Sequence, residues 1–307
     1  MTGTLLMRFL TRSLLSGNPI IRSRGVASFI WTTAKRTNAF LISGRVAFCL
    51  GLPTVCYLGH EAYRGIHSAA VVFALEKAEE EIIEQADYLH SCAETEKLYQ
   101  LLQQYNNSND VEFLWRLARA TRDRAMVQGV PADQKKALVY EAFGYAEKAL
   151  EKDDACFASH KWYGILLSDL GDYMGTKHKL AKSLVIRKHL ERAKELNPND
   201  PTTVYILGYW CFSFAELSWS LRKLATVIFG TPPTSSYEEA LEFFLKAEEV
   251  KPGFYSKNLL MLGKTYLALK DKENAHLWLT KARDYRPITT EDKEVHQEAV
   301  QLLKRLG

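Results

Sequence analysis

The segment closest to a phosphate cradle is Gly171-Asp-Tyr-Met-Gly-Thr-Lys177. A phosphate loop needs closely set glycines after a strand, then a lysine and a hydroxyl where a helix begins. Here the spacing and the Thr-Lys order are wrong and no strand-like stretch precedes, so the segment reads as a turn between two helices. His60-Glu61 does not extend to a His-Glu-x-x-His zinc motif, and the eight histidines are scattered. The five cysteines, Cys49, Cys56, Cys92, Cys156 and Cys211, contain no Cys-x-x-Cys pair and are odd in number. That pattern favours free thiols over a disulfide framework or a zinc site. Nucleophile elbows and dinucleotide fingerprints are also missing. No catalytic residue, metal or cofactor is expected, and the chain is expected to bind rather than to catalyse.

Charge is divided along the chain. Residues 1–60 hold no Asp or Glu and seven of the 40 bases, which leaves 33 bases against 36 acids beyond them. The slight acidity of the body speaks against a nucleic-acid partner. Residues 1–45 are rich in Arg, Ser and Thr with apolar residues between the bases, the composition of a mitochondrial transit peptide. Val46–Gly59 follows as an apolar run, shorter than the roughly 20 residues of a membrane span. Residues 1–60 are therefore expected to be a basic leader for mitochondrial targeting, with membrane association through the N-terminus as the alternative.

Residues 61–110 read as a spacer and the first helices. Ala70–Tyr88 carries Val71, Val72, Leu75, Ala78, Ile82 and Ile83 at helical spacing over an acidic face, as a spacer or a coiled-coil oligomerisation stalk would. Thr95–Tyr105 is a second amphipathic helix, stopped by Asn106-Asn107-Ser108-Asn109-Asp110.

From residue 111 to 307 the chain repeats itself. Ala240, Phe244, Ala247 and Pro252 recur as Ala275, Leu279, Ala282 and Pro287, 35 residues on. Weaker copies are Ile186, Leu190, Ala193, Pro198 and Ala142, Ala146, Ala149. Each has an upstream partner segment: Trp115 and Ala118; Trp162, Ile165 and Leu166; Val204, Leu207, Gly208 and Cys211; Leu259, Leu262, Gly263 and Tyr266. Small residues let helices approach closely, and proline ends each unit. This is the tetratricopeptide layout, about 34 residues of helix–turn–helix. The expected fold is all-α, a tetratricopeptide-like helical repeat solenoid with inserted helices. Stacked pairs share a core and leave a concave surface.

More specific stretches are Ala93-Glu-Thr-Glu-Lys-Leu-Tyr-Gln-Leu-Leu102, Glu112-Phe-Leu-Trp-Arg-Leu-Ala-Arg-Ala120, His160-Lys-Trp-Tyr-Gly-Ile165, Gly208-Tyr-Trp-Cys-Phe212 and Trp219. Together these resemble the regulator of microtubule dynamics protein family, from about Ala86 to the C-terminus, and its short mitochondrial branch most. The resemblance implies association with microtubules and spindle poles, and locations at mitochondria, cytoplasm and cytoskeleton. Longer members imply tethering to the endoplasmic reticulum and lipid carriage by the repeats. Two features depart from them. Barely 30 residues separate Gly59 from Ser91, and the nearest match to their acidic two-phenylalanine docking motif, Glu242-Phe-Phe-Leu-Lys-Ala-Glu248, has Phe244 and Ala247 at repeat core positions.

In tetratricopeptide families the first helix of each pair lines the groove. The corresponding residues here are Arg116 and Asp123; His160, Tyr163 and Leu167; Tyr205, Tyr209 and Phe212; and Leu260, Lys264 and Leu267. This expected lining is apolar and aromatic. It suits an acyl chain of a phospholipid or fatty acid, or an apolar helix, since burial yields about 25 cal/mol per Å². Thr202–Gly230, with Trp219, reads as a very long helix or a bent pair, which either fills the concave face or roofs a lipid-holding cavity. A basic cluster at Lys179, Lys182, Arg187, Lys188 and Arg192 could meet acidic tubulin tails or anionic lipid heads.

Overall fold

The computed structural model describes residue 63 and residues 76–306 apart from residue 232. The basic leader expected over 1–60 lies outside the described residues. The described residues contain no strand. Twelve helices occur among them: α1 over 76–91, α2 (Thr95–Gln103), α3 (Val111–Ala125), α4 (Ala132–Lys152), α5 (Phe157–Met174), α6 (Thr176–Leu196), α7 (Pro201–Ala215), α8 (Trp219–Phe229), α9 (Tyr237–Val250), α10 (Ser256–Ala268), α11 (Lys272–Asp284) and α12 (Thr290–Leu306). None of the described helices is long and apolar enough to cross a membrane.

Helix starts follow the capping residues. Asp110 accepts a hydrogen bond from the Glu112 N–H at 2.6 Å. Asp200 accepts one from Thr203 ahead of Pro201, and Ser218, Ser236 and Asp271 do the same for α8, α9 and α11. The phosphate-loop look-alike is a turn, as expected: α5 runs to Met174, Gly175 takes φ +89°, and α6 begins at once. That φ suits glycine and few other residues.

Helices pair in sequence order. α3 packs on α4, α5 on α6, α7 on α9 and α10 on α11, with α12 closing the array. The Ala, Ile, Leu and Phe residues of the four repeat copies all lie in the core, each at most 6% exposed. The second helices of the first two pairs are long, 21 residues each in α4 and α6. Only in the third pair is a separate helix, α8, inserted. The described part of the helix expected as a spacer or stalk is docked: Ala86 is fully buried and Ile82, Ile83 and Leu89 pack with α2 and α3 around Phe113.

Close approach within pairs rests on glycine. A Cβ added at Gly208 would lie 2.9 Å from the Phe244 ring, and one at Gly263 would lie 2.6 Å from Leu279 Cγ and 3.2 Å from its backbone nitrogen. We expect Gly263→Ala to lower the unfolding free energy by about 1–3 kcal/mol through overpacking. An added Cβ at Gly144 of α4 meets nothing within 4 Å. Gly144→Ala is expected to be stabilising by about 0.5–1 kcal/mol from helix propensity. Urea unfolding followed by circular dichroism measures both.

Candidate functional site

The first helices of successive pairs are joined by polar side chains. Asp87 of α1 receives Arg116 Nη2 at 2.6 Å and Arg119 Nη2 at 2.9 Å. Arg122 of α3 meets Asp169 of α5 at 2.6 Å, and Lys161 of α5 meets Asp200, the N-cap of α7, at 3.2 Å. At the start of α10, Lys257 and the hydroxyl of the preceding Tyr255 share Glu291, and further along Lys264 pairs with Glu298 of α12 at 3.0 Å. Ion pairs thus run from one first helix to the next, beside the apolar and aromatic residues expected on those helices.

Leu167, Tyr205, Phe212 and Leu260 are core residues. Tyr205 sits against Phe244 and Tyr255, and Phe212 against Tyr237. Leu267 packs beside the Leu260 core. Arg116 is buried and fixed on Asp87 and Glu112. His160 faces α6, its partner helix: its Nε2 bonds the Asp154 carbonyl and its Nδ1 lies 2.9 Å from His189 Nδ1. The Nε2 proton then leaves Nδ1 to accept from His189. Tyr163 lies tilted against the same His189 and against Phe143. Lys264 is held by Glu298. Of the expected lining, Tyr209 is 46% exposed and Trp219, on the inserted helix, 71% exposed.

Asp123 occupies the most unusual electrostatic position. Its side chain keeps 29% of its surface and lies 3.8 Å from His90 Nε2. Burial pushes its carboxyl up to about 6, against the pull of Arg122 and Arg119. His90 is pushed down to about 4 by burial, with Arg119 adding to the effect. Asp87 shows the opposite balance, since hydrogen bonds from Arg116 and Arg119 outweigh its desolvation and hold it below the usual range. The Arg119 Nε has no hydrogen-bond partner although buried.

A separate apolar pocket of ≈ 360 Å³ lies between α5, α6 and α7 at the start of α8, in the size range of small-ligand sites. Ile165, Leu180, Ile206, Trp210, Phe214 and Leu221 form much of its wall, with Tyr209 among them, and Lys179 and Thr176 stand at its side. The α7–α8 segment is a bent pair: Ser218 caps α8 after a break at residues 216–218. α8 packs on α6, a second helix. The pocket's Ser168, Ile206 and Ser213 were not singled out by the repeat pattern, because that pattern marks core positions. The cap sequence around Ser218 was the readable signal for the break.

The basic cluster on α6 is divided. Arg187 pairs with Glu191 and Glu239 and covers Trp210, Arg192 pairs with Glu195, and Lys179 with Asp172. Lys182 and Lys188 are exposed and make no ion pair among the described residues. The buried Cys211 thiol is pushed up to about 11 by burial, which makes it a poor nucleophile.

A family model described as "Regulator of microtubule dynamics protein 1-3" matches residues 82–307. The chain is 56% identical over 252 residues to regulator of microtubule dynamics protein 1 of Pongo abelii, covering 82% of this chain and 80% of that one. It is 53% identical to the protein of that name from Bos taurus, covering 85% and 83%. Regulator of microtubule dynamics protein 3 of Rattus norvegicus is 35% identical, covering 74% of this chain and 49% of that one. Among solved structures, a thermophilic TPR protein of Thermus thermophilus aligns with TM-score 0.50 and 14% identity, over 73% of this chain and 99% of that chain. That likeness is one of fold.

The electrostatics of Asp123 and His90 have opposite signs in stability. A carboxyl raised to about 6 binds its proton more tightly in the folded state, so its contribution falls as pH rises from about 4 to about 6. A histidine lowered to about 4 refuses a proton that the unfolded chain accepts, so its contribution rises from about pH 4 to 6.5. The two offset each other. Asp123→Asn is expected to leave a stability that climbs more steeply between pH 4 and 6.5 than wild type. At pH 7 the variant should be more stable by about 1–2 kcal/mol. Urea midpoints at pH 4, 5, 6 and 7 test both statements; parallel profiles would refute them.

Proposed function

The chain belongs to the regulator of microtubule dynamics protein family, and from that premise we propose that it is a non-enzymatic helical-repeat interaction protein that associates with microtubules. The observation that carries this reading is the match, across four-fifths of their length, to relatives named for microtubule regulation. The repeat array supports an interaction role, since its side chains are arranged in ion pairs and packing contacts between helices rather than around a reacting centre. The exposed Lys182 and Lys188 of α6 give it basic charge for acidic tubulin tails. The acid-free leader supports a mitochondrial destination, with the repeats on the cytosolic side where microtubules reach them.

Cosedimentation with taxol-stabilised microtubules tests the reading. The full chain should pellet at low salt and release as salt rises, and Lys182→Glu with Lys188→Glu should weaken pelleting several-fold. No pelleting of the wild-type protein at low salt would remove the proposal.

A second reading is favoured by the pocket. We infer that it accepts an acyl chain of a phospholipid or fatty acid, because its wall is largely apolar and one lysine stands beside it. Mass spectrometry of organic extracts of the purified protein should find such a lipid. Ser168→Phe, which fills the pocket from α5, should abolish its recovery while leaving microtubule pelleting intact. An empty wild-type protein would dismiss this second reading alone.

A further inference from the structure

We propose that the outward face of α8 is a docking surface for an anionic phospholipid bilayer. The helix has the sequence Trp219-Ser-Leu-Arg-Lys-Leu-Ala-Thr-Val-Ile-Phe229 and contains no acid. Leu221, Leu224, Ala225 and Ile228, at helical spacing, are its partly or fully buried side. Trp219, Lys223 and Val227, four residues apart, form a stripe on the opposite side, where Trp219 is 71% and Val227 81% exposed. The Lys223 ammonium lies 3.8 Å from the centroid of the Trp219 ring, so cation and aromatic are presented as one unit. Arg222 adds charge at the break, where it donates to the Leu217 and Ala215 carbonyls.

The surroundings reinforce the sign. α8 packs on α6, which has no acid before Glu191. Thr176 and Lys179 line the same pocket as Leu217 and Leu221, which brings the start of α6, with exposed Lys177, to the start of α8. Asp172 is paired to Lys179, and Glu216 is exposed within the break.

An acidic protein tail would use the lysines and leave Trp219 and Val227 in water. A bilayer of anionic lipid satisfies both: tryptophan resides at the headgroup level, and each nearby lysine or arginine is attracted by the surface potential. Docking here does not require the pocket to hold a lipid, and it is separate from any contact made by the leader.

The test reads Trp219 alone, as the fluorescence difference between the full-length wild-type chain and its Trp219→Phe variant. Vesicles of brominated phosphatidylcholine with phosphatidylserine should quench that difference signal, and vesicles of brominated phosphatidylcholine alone should not. Lys223→Glu should raise the vesicle concentration for half-quenching roughly tenfold, with unchanged circular dichroism and unchanged microtubule pelleting. Equal quenching of wild type and Trp219→Phe would overturn the proposal, because the leader alone would then touch the membrane. Quenching by neutral vesicles to the same extent would also overturn it, as would a Trp219 response to soluble polyglutamate but not to vesicles.

Discussion

Three of the four helix pairs close where a glycine on the first helix meets a large residue on the second. Gly164 lies against Leu190, Gly208 against Phe244 and Gly263 against Leu279. With a Cβ at either of the last two positions the helices would have to separate, or the core side chain would have to leave its place. Helix packing at this range fixes the crossing of the pair, and repetition of the same contact fixes how one pair follows the next. The array, the row of first helices and the spaces between pairs all descend from it.

That constraint explains why ion pairs run between the first helices. Once the apolar side chains of the first helices are committed to the pair cores, the positions left facing the neighbouring first helix are Arg116, Arg119, Arg122, Lys161, Asp169 and Lys264. They find partners one helix or one repeat away. Isolated surface pairs contribute little, but Arg116 and Arg119 are nearly buried and share Asp87, so losing that carboxylate would leave charge uncompensated. Asp123 is the exception to this balance, a carboxylate whose charged form burial disfavours.

The third repeat departs from the others because its connection is long enough to fold. α7 ends at Ala215, α8 starts from the Ser218 cap, and the turn between them leaves space over α6 that Leu217 and Leu221 only partly fill. One insertion thereby creates both an apolar pocket and an exposed aromatic-basic stripe on a body that is otherwise well packed. The family's repeats supply rigidity, and the insertion supplies surface chemistry that the repeat pattern alone does not provide.

The amino-acid sequence by itself determined the helix pairs. Ala240, Phe244 and Ala247, their counterparts 35 residues on, and Gly208 and Gly263 are local spacings that any helix converts into one buried stripe. It also determined the turn at Gly175 and the core role of Phe244, which removes it from any docking motif. Only the tertiary structure decided which side chains face the hollow. Helical spacing says that Leu167, Phe212 and Leu260 share a face with apolar neighbours, but not whether that face meets its own partner helix or open space. Arg116 illustrates the same limit: its partner Asp87 is 29 residues away on a helix that the sequence presents as a stalk. Such pairings depend on where separate helices come to rest against one another, and no spacing within one helix encodes that.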